Sequence, residues 1–360
     1  MSATAAMSPA RTRDYSLTGE DARLAVEKGL SAASWHATPL PRQQLKALMR
    51  RSDGPAIRDT LLWFALLACA AAGMIVFWGS WWALPFVIAY GVLYGSSSDS
   101  RWHECGHGTA FKTRWMSDVV YVIASFMLLR EPTVWRWSHA RHHTDTIIVG
   151  RDPEIAVPRP ARVMNVILNL FSLKSGPASL RQIALHATGK LTAAEMTYIP
   201  EMERRKVFLA ARIYIAILLG IILACVALRS ILPAMVIGLP TFYGAWLLVV
   251  FGTTQHAGLQ EDVLDHRLNS RTITMNPVFR FLYWNMNYHV EHHMFPMVPY
   301  HALPALHEAV KADCPRPYSG LWEAYREIIP TLWRQRHDPY YFARRQLPET
   351  STASRTANPG

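Results

Sequence analysis

Long uncharged stretches alternate with strongly charged ones along this chain. Residues 60–98 contain no charged side chain, which is enough for two helices of about 20 residues, the length that crosses a bilayer. A second pair of apolar runs covers residues 207–228, broken only by Arg212, and the uncharged residues 230–255, where Pro233 and Pro240 are expected to kink the chain. The pattern predicts an all-α integral membrane protein with four transmembrane helices in two hairpins, at about residues 60–78, 81–98, 207–228 and 230–252.

A shorter apolar run, residues 119–129, lies between the two hairpins. A run of about 10 to 14 residues is too short to span a bilayer, so we expect a re-entrant, interfacial or buried helix. These runs divide the chain into a basic N-terminal segment (1–54), a membrane catalytic domain (55–315) and a C-terminal segment (316–360). The polar tail from Pro348 onward is predicted to be disordered.

Basic residues mark the predicted cytoplasmic side. Arg50, Arg51 and Arg58 precede the first run, and the sequence EMERRK (residues 201–206) precedes the third. Because positive residues stay on the cytoplasmic side, both termini are predicted to lie in the cytoplasm. The excess of 37 Lys and Arg over 26 Asp and Glu fits basic span flanks, and it would also suit an acidic redox partner. No nucleic-acid partner is expected.

The histidines carry the most specific pattern. Eight of the 15 fall into three tight groups, and a ninth, His256, follows the last apolar run. Helix positions i, i+3 and i+4 share one face, so each group can direct its imidazoles at one point. Under the four-span topology all nine lie just outside the membrane on the cytoplasmic side. The three groups are HECGH (His103, His107), HARHH (His139, His142, His143) and HVEHH (His289, His292, His293).

This number of histidines limits the chemistry. HECGH by itself fits a zinc metalloprotease, in which Glu104 would be the general base, but such a zinc uses three protein ligands. Two metal ions with four or five ligands each would account for all nine. Imidazole suits iron, copper, nickel and zinc, so ligand type alone does not select the metal. A histidine-only site beside a membrane is best suited to dioxygen activation at a pair of irons. A metal transporter is disfavoured because the spans contain almost no ionisable residues.

The three boxes, in this order around two apolar hairpins, resemble the membrane-bound fatty acid desaturase superfamily, which includes related hydroxylases. The resemblance covers about residues 55–315. It implies a cytoplasmic helical cap that carries a di-iron site, with the eight box histidines as catalytic ligands and His256 in the place of a further ligand. The stretches REPTVWRWSHARHHTDT and NYHVEHHMFP look closer to bacterial members that use separate redox proteins, some of which oxygenate small molecules, and this resemblance implies a bacterial inner membrane.

The resemblance implies an O₂-dependent oxidoreductase with two Fe ions. The expected reaction is desaturation of a fatty acyl lipid in the bilayer. The alternative is a hydroxylase or monooxygenase that acts on a hydrocarbon or small molecule, since the boxes do not distinguish the two outcomes. The chain lacks ferredoxin cysteine spacings and a dinucleotide-binding fingerprint, so an external ferredoxin or cytochrome with its reductase is expected as electron donor. A membrane zinc metalloprotease that uses HECGH remains the alternative from another class.

Metal-bound histidines usually donate their second N–H to a carboxylate or carbonyl. The candidates for this outer role are Glu104, Glu291, Asp145, Asp152 and Asn287, with Glu154, Asp262 and Asp265 as further nearby acids. Trp135 and Trp137 are candidates for the wall of a substrate channel or, alternatively, for anchors at the membrane interface. His266, His301 and His307 match no ligand spacing and are expected at the surface or outside the ligand set. Residues 155–200 form either a lid or a cytoplasmic linker, and residues 163–171 (VMNVILNLF) suit a membrane surface.

Overall fold

The computed structural model describes residues 12–349. Over that range the regular elements are helices, and two isolated β-bridges join Thr272 to Tyr288 and Ile273 to Tyr318. The α-helices are α1 (Glu20–Glu27), α2 (Arg42–Leu48), α3 (Asp53–Val76), α4 (Ala83–Gly91), α5 (Ser97–His107), α6 (Arg114–Met127), α7 (Pro132–Thr144), α8 (Val163–Asn169), α9 (Ser175–Ala187), α10 (Arg204–Ala227), α11 (Leu232–Val236), α12 (Pro240–Tyr243), α13 (Trp246–His256), α14 (His266–Asn269), α15 (Pro277–Leu282), α16 (His289–Met294), α17 (Leu303–Val310) and α18 (Leu321–Arg334). A π-helix spans Val92–Ser96, and short 3₁₀ turns span Glu195–Thr197, Glu201–Glu203 and Tyr300–Ala302.

Two helical stretches within residues 12–349 are long and apolar enough to cross a membrane. They are Arg42–Val76, of 35 residues, and Glu201–Ala227, of 27 residues, and they contain α3 and α10. At about 1.5 Å per residue, 27 helical residues extend beyond the roughly 30 Å of a bilayer's hydrocarbon core. Both helices expose large apolar side chains, such as Leu61 on α3 and Leu223 on α10. They correspond to the first and third predicted spans.

The second and fourth apolar runs do not form single regular α-helices. The second lies in a helical stretch that continues from α4 through the π-helix into α5, and the last turns of α5 carry the HECGH histidines. The fourth is not one helix: Pro233 and Pro240 begin the separate helices α11 and α12, and Gly238 between them has a φ of +97°. Proline lacks the N–H that a continuous helix requires, which explains the breaks. The count of four spans therefore stays a prediction.

The second and fourth apolar runs cross at a contact between glycines. A Cβ atom on Gly244 would collide with the backbone of Gly91, and one on Gly95 would collide with the carbonyl oxygen of Pro240. Small residues permit such close backbone approach between helices. Beside the crossing, the Leu248 N–H donates to Ser96 Oγ at 2.8 Å. This contact sets α13, whose last residue is His256, alongside the π-helix that leads into α5.

The short apolar run 119–129 falls in α6, a helix of 14 residues. Its length of about 21 Å is below the thickness of the hydrocarbon core. Val120, Tyr121 and Ala124 on one side are buried, and Val119 and Val122 on the other are exposed. An exposed apolar face on a short helix is consistent with the predicted non-spanning, interfacial position.

Segments at both ends of the described chain pack onto the histidine-bearing helices. The Tyr15 hydroxyl donates to Glu261 at 2.9 Å, and the Tyr325 hydroxyl of α18 donates to the Val250 carbonyl of α13 at 2.7 Å. The domain boundaries at residues 54 and 315 stay predictions. Most of the tail predicted to be disordered, residues 350–360, lies outside the described residues, as do residues 1–11.

Candidate metal centre

The nine predicted histidines come together in two groups. Within each group the candidate ligand atoms all lie within 4.8 Å of one another. Their side chains are buried or nearly so, in the middle of the cap formed by the ends of α5, α7, α13 and α16. The five-histidine group contains His103, His107, His139, His143 and His292, and the four-histidine group contains His142, His256, His289 and His293.

The prediction that each box directs its imidazoles at one point is wrong for the second and third boxes. His139 and His143 belong to the five-histidine group, whereas His142 belongs to the four-histidine group. In the third box, His292 belongs to the five-histidine group, whereas His289 and His293 belong to the four-histidine group. Positions i and i+4 are only about 40° apart around a helix, whereas i+3 lies on the other side of i, at about −60°. One turn of helix can therefore direct its histidines at two neighbouring metal positions.

The hydrogen bonds of three ring nitrogens fix the tautomers. His142 Nδ1 donates to Asp152 at 2.8 Å, His139 Nδ1 donates to Glu154 at 2.9 Å, and His256 Nδ1 donates to the Asn269 carbonyl at 2.8 Å. A neutral imidazole has one N–H, so the Nε2 atoms of these three rings carry lone pairs. The carboxylate and carbonyl partners are those that metal-binding histidines commonly use.

The Nε2 atoms face each other at hydrogen-bond distance. His139 Nε2 lies 3.1 Å from the Nε2 atoms of both His107 and His143, and His256 Nε2 lies 2.9 Å from that of His289. Lone pairs that converge in this way repel each other unless a cation lies between them. Both ring nitrogens of His103 are also buried without a hydrogen-bond partner. The nine side chains thus fit a pair of metal ions of the kind that imidazole binds.

Burial keeps these imidazoles neutral, which is the form that binds metal. Desolvation and the neighbouring rings hold the pKa of six of them well below the usual histidine value, and they lower the pKa of His107 to about 4 and that of His256 to about 3. His142 is the exception: burial lowers its pKa, but the Asp152 carboxylate outweighs burial and raises it. The six histidines with strongly lowered pKa are His103, His139, His143, His289, His292 and His293.

Glu104 of HECGH sits between the first and third boxes. Its Oε1 lies 3.5 Å from His103 Nδ1 and 3.6 Å from His292 Nδ1. Its other carboxyl oxygen accepts hydrogen bonds from the Thr109 hydroxyl at 3.3 Å and the Tyr300 N–H at 3.1 Å. Burial raises the pKa of Glu104 to about 8. The residue is therefore held against two histidines of different boxes and away from bulk water.

A cavity of about 420 Å³ reaches both histidine groups. His103 and His139 of one group and His142, His256 and His289 of the other form part of its wall. At one end the Arg130 guanidinium lies between the Trp102 and Trp135 rings, 4.8 and 4.5 Å from their centroids, and forms an ion pair with Asp99. Its volume is in the range of pockets that hold small molecules or part of a lipid. The predicted position of Trp135 at a channel wall matches this lining.

A family model described as fatty acid desaturase matches residues 79–325 of the chain. The chain belongs to the fatty acid desaturase family. It is therefore an oxidoreductase, and membership indicates association with membranes. The matched range contains all three histidine boxes and His256, so the hypothesis of a zinc protease that uses HECGH alone no longer accounts for the chain.

Several curated relatives of this desaturase family member come from plants. An omega-6 fatty acid desaturase, endoplasmic reticulum isozyme 2, from Glycine max is 25% identical, with 92% of each chain aligned. A Delta(12)-acyl-lipid-desaturase from Punica granatum is 27% identical over 70% of this chain and 72% of its own. A fatty acid conjugase from Calendula officinalis is 28% identical over 66% and 70%. The resemblance to bacterial members stays a prediction.

Three of the residues predicted to accept a hydrogen bond from a metal-bound histidine have other partners in this family member. Glu291 accepts from the Thr272 hydroxyl and contacts His307 Nδ1, and Asn287 donates to the Ile273 carbonyl at 2.7 Å. The third, Asp145, pairs with Arg141 and Arg151. Of the other nearby acids, Asp262 pairs with Arg13 and Asp265 with Arg267.

Sequence reasoning missed one neighbour of the four-histidine group and left open whether a second, His266, lies at the surface or beside the ligands. The Asn269 carbonyl orients His256, and no sequence pattern marks a backbone carbonyl for that role. His266 is buried, stacks on Trp35 with ring centroids 4.2 Å apart, and lies 5.0 Å from the His293 ring. His266 is outside both ligand groups within the described residues, as its spacing predicted, but it is not at the surface.

Proposed function

We propose that this chain is an O₂-dependent membrane desaturase with two iron ions, one held by the five-histidine group and one by the four-histidine group. The observation that supports this most directly is the convergence of nine buried or nearly buried imidazoles on two adjacent points, with Nε2 atoms 2.9 to 3.2 Å apart. When bound, a pair of irons supplies the reduction of O₂ and the removal of hydrogen from an unactivated C–H bond. Imidazole ligands suit iron, and family membership favours it over zinc or copper.

The chain's own residues orient the ligands and exclude water. Asp152, Glu154 and the Asn269 carbonyl hold three imidazoles with their Nε2 lone pairs inward. Asp152 is itself fixed, because its carboxylate also accepts the N–H groups of Ile147 and Glu154, both at 2.7 Å. Such partners usually change metal affinity by about 10- to 100-fold. The cavity, which members of both groups line, is the proposed site of the substrate chain.

The proposed substrate is a fatty acyl chain of a membrane lipid. Relatives named as omega-6 and Delta(12)-acyl-lipid desaturases support an acyl substrate. In the proposed reaction two adjacent carbons each lose one hydrogen and become doubly bonded. O₂ takes up those two hydrogens together with two electrons and two protons, and two waters form. The electrons come from an external ferredoxin or cytochrome and its reductase.

We further propose that the metal centre and both termini face the cytoplasm. The basic residues before the first and third apolar runs support this orientation, because positive flanks remain on the cytoplasmic side. The bacterial inner membrane is the proposed location. Accessibility of a cysteine introduced at Lys190 to a membrane-impermeant thiol reagent, in intact cells and in inverted vesicles, tests the orientation. Labelling in intact cells would contradict it.

Metal and product analysis test the function. Protein purified without oxygen should contain about two irons per chain, and one zinc without iron would contradict the proposal. His142→Ala should lose turnover and iron, whereas the matched control His337→Ala, at an exposed histidine outside both groups, should retain both. Mass spectrometry of lipids from an expression host should show a loss of two hydrogens. A gain of one oxygen would instead identify the hydroxylase alternative.

A further inference from the structure

Residues 162–187, here called the covering segment, form a helical layer over the cavity. The segment contains α8, a turn and α9, and it leads from the second histidine box toward α10. Its outward face is strongly apolar, with exposed fractions between 37% and 62% for six large side chains. These are Met164, Ile167, Leu168, Phe171, Leu173 and Leu180. Six large apolar side chains exposed along one face form a patch of the kind that marks an interaction surface.

The inward face of the same segment is a wall of the cavity. Val166, Asn169, Ser172 and Ser175 line the cavity opposite residues of α13 such as Val249. Ser172 is buried, and its neighbour Phe171 is half-exposed on the other side. A single layer of chain therefore separates the space next to the histidines from whatever lies against the outward face.

The contacts of the covering segment with α10 indicate what lies against its outward face. The Arg212 Nε of α10 donates to the Ala187 carbonyl at 3.0 Å, and Ile183 packs in one cluster with Ala211 and Tyr214 of α10. Helix α10 is one of the two helices that are long and apolar enough to cross a membrane, and its own outer side chains, such as Leu209, are exposed. The apolar face of the covering segment continues this exposed apolar surface.

The basic residues of the covering segment are also of the kind expected at a bilayer surface. Arg162, Lys174 and Arg181 are exposed and lie before, within and after the apolar residues. A helix with apolar side chains on one side and basic residues at its margins is typical of segments that lie at the boundary between lipid headgroups and acyl chains. Long basic side chains can reach the phosphates while their stems stay among apolar groups.

We propose that the covering segment is inserted in the bilayer surface and that the cavity fills laterally from the membrane, between this segment and α13. Together with the proposed function, on which this part rests, the geometry points to a substrate dissolved in the bilayer, an intact acyl lipid or a hydrocarbon. A water-soluble acyl thioester would instead enter through an opening to water. The covering segment, which forms one wall of the cavity, has an apolar far side.

Spin labels test the insertion without any turnover. In a background with Cys69→Ala and Cys225→Ala, which leaves the two buried cysteines, single cysteines at Ile167 and Phe171 are labelled with a nitroxide in lipid nanodiscs. Collisions with lipid-dissolved O₂ should exceed those with a water-soluble nickel chelate. A label at Lys190, in an exposed polar turn, should show the reverse order. Nickel collisions at Ile167 as frequent as at Lys190, or low collision rates with both reagents because protein covers the face, would overturn the insertion.

A cysteine at Val166, on the cavity wall, tests the route of access. In the same nanodiscs it should react with a membrane-soluble maleimide at least tenfold faster than with a charged methanethiosulfonate, whereas the cysteine at Lys190 should react readily with the charged reagent. Equal accessibility of Val166 and Lys190 to the charged reagent would show a cavity open to water and overturn the lateral route. Neither experiment depends on iron or activity, so their failure is distinguishable from failure of the proposed function, which metal analysis reports.

Discussion

Replacement of Asp152 by asparagine should weaken metal binding in the four-histidine group. The Asp152 carboxylate accepts three hydrogen bonds: Oδ2 from His142 Nδ1 at 2.8 Å and from Ile147 N–H at 2.7 Å, and Oδ1 from Glu154 N–H at 2.7 Å. An asparagine has only one acceptor oxygen at its end. Whichever way the amide turns, at least one buried N–H faces the amide NH₂ and the charge that supports His142 is gone.

The size of the effect follows from these contacts. Loss of an outer partner of a metal-bound histidine costs about 10- to 100-fold in metal affinity, equivalent to about 1.4 to 2.7 kcal/mol. A buried donor left without an acceptor costs a further ~1 to 3 kcal/mol in folding stability. Asp152→Asn should therefore lower both iron retention against a ferrous chelator and the melting temperature in detergent.

Glu154→Gln provides the matched control. Glu154 Oε2 accepts from His139 Nδ1 and Oε1 accepts from the Ser138 hydroxyl, both at 2.9 Å. A glutamine can keep its oxygen on His139 and donate its NH₂ to Ser138 Oγ, so only the charge is lost. Its loss of iron affinity should stay below about tenfold. Equal losses in the two variants, or wild-type iron retention by Asp152→Asn, would refute the argument from hydrogen-bond geometry.

Three further predictions concern other parts of the chain. His256→Ala should lose iron because it removes one of four clustered imidazoles, whereas His266→Ala should retain it; iron analysis of the two variants decides. His186→Ala should cost about 3 to 5 kcal/mol of stability, seen as a lower melting temperature, because it removes the buried bridge between Glu131 and Glu195. Burial lowers the pKa of His186, but the two carboxylates outweigh burial and raise it from 6.5 to about 9. The bridge's charge-linked contribution is thus complete below pH 6.5 and lost as the pH rises through about 9, so the difference in melting temperature between wild type and variant should narrow there. Finally, an anaerobic chelator should lower the melting temperature, and ferrous iron but not magnesium should restore it, since imidazole suits iron and not magnesium.

The sequence was sufficient for the identity of the candidate ligands. Their spacing on short helical stretches, such as His103 and His107, puts side chains on one face whatever the rest of the chain does. His256 carries no such spacing, and its resemblance-based assignment agrees with its position in the four-histidine group. The apolar runs likewise predicted the long helices α3 and α10, because length and hydropathy are properties of a local segment.

The division of the histidines between two points was decided by tertiary structure. His142 and His143 are adjacent in sequence, yet they belong to different groups, because the direction of each ring depends on how α7 is oriented against α5 and α16. The hydrogen-bond and ion-pair partners of the carboxylates also could not be predicted from the sequence. Asp152 turns toward a histidine, whereas Asp145, seven residues before it, turns toward two arginines.

The sequence by itself thus determined which residues are available for metal chemistry and which segments are apolar enough for a bilayer, since both follow from local spacing and composition. The breaks of the fourth apolar run at Pro233 and Pro240 were also predictable, because proline acts locally. Only the tertiary structure decided that the second and fourth apolar runs meet at the Gly91 and Gly244 contact, and that the covering segment lies over the cavity. These features depend on contacts between residues far apart in the chain, and no local pattern encodes the direction in which a side chain meets a distant partner.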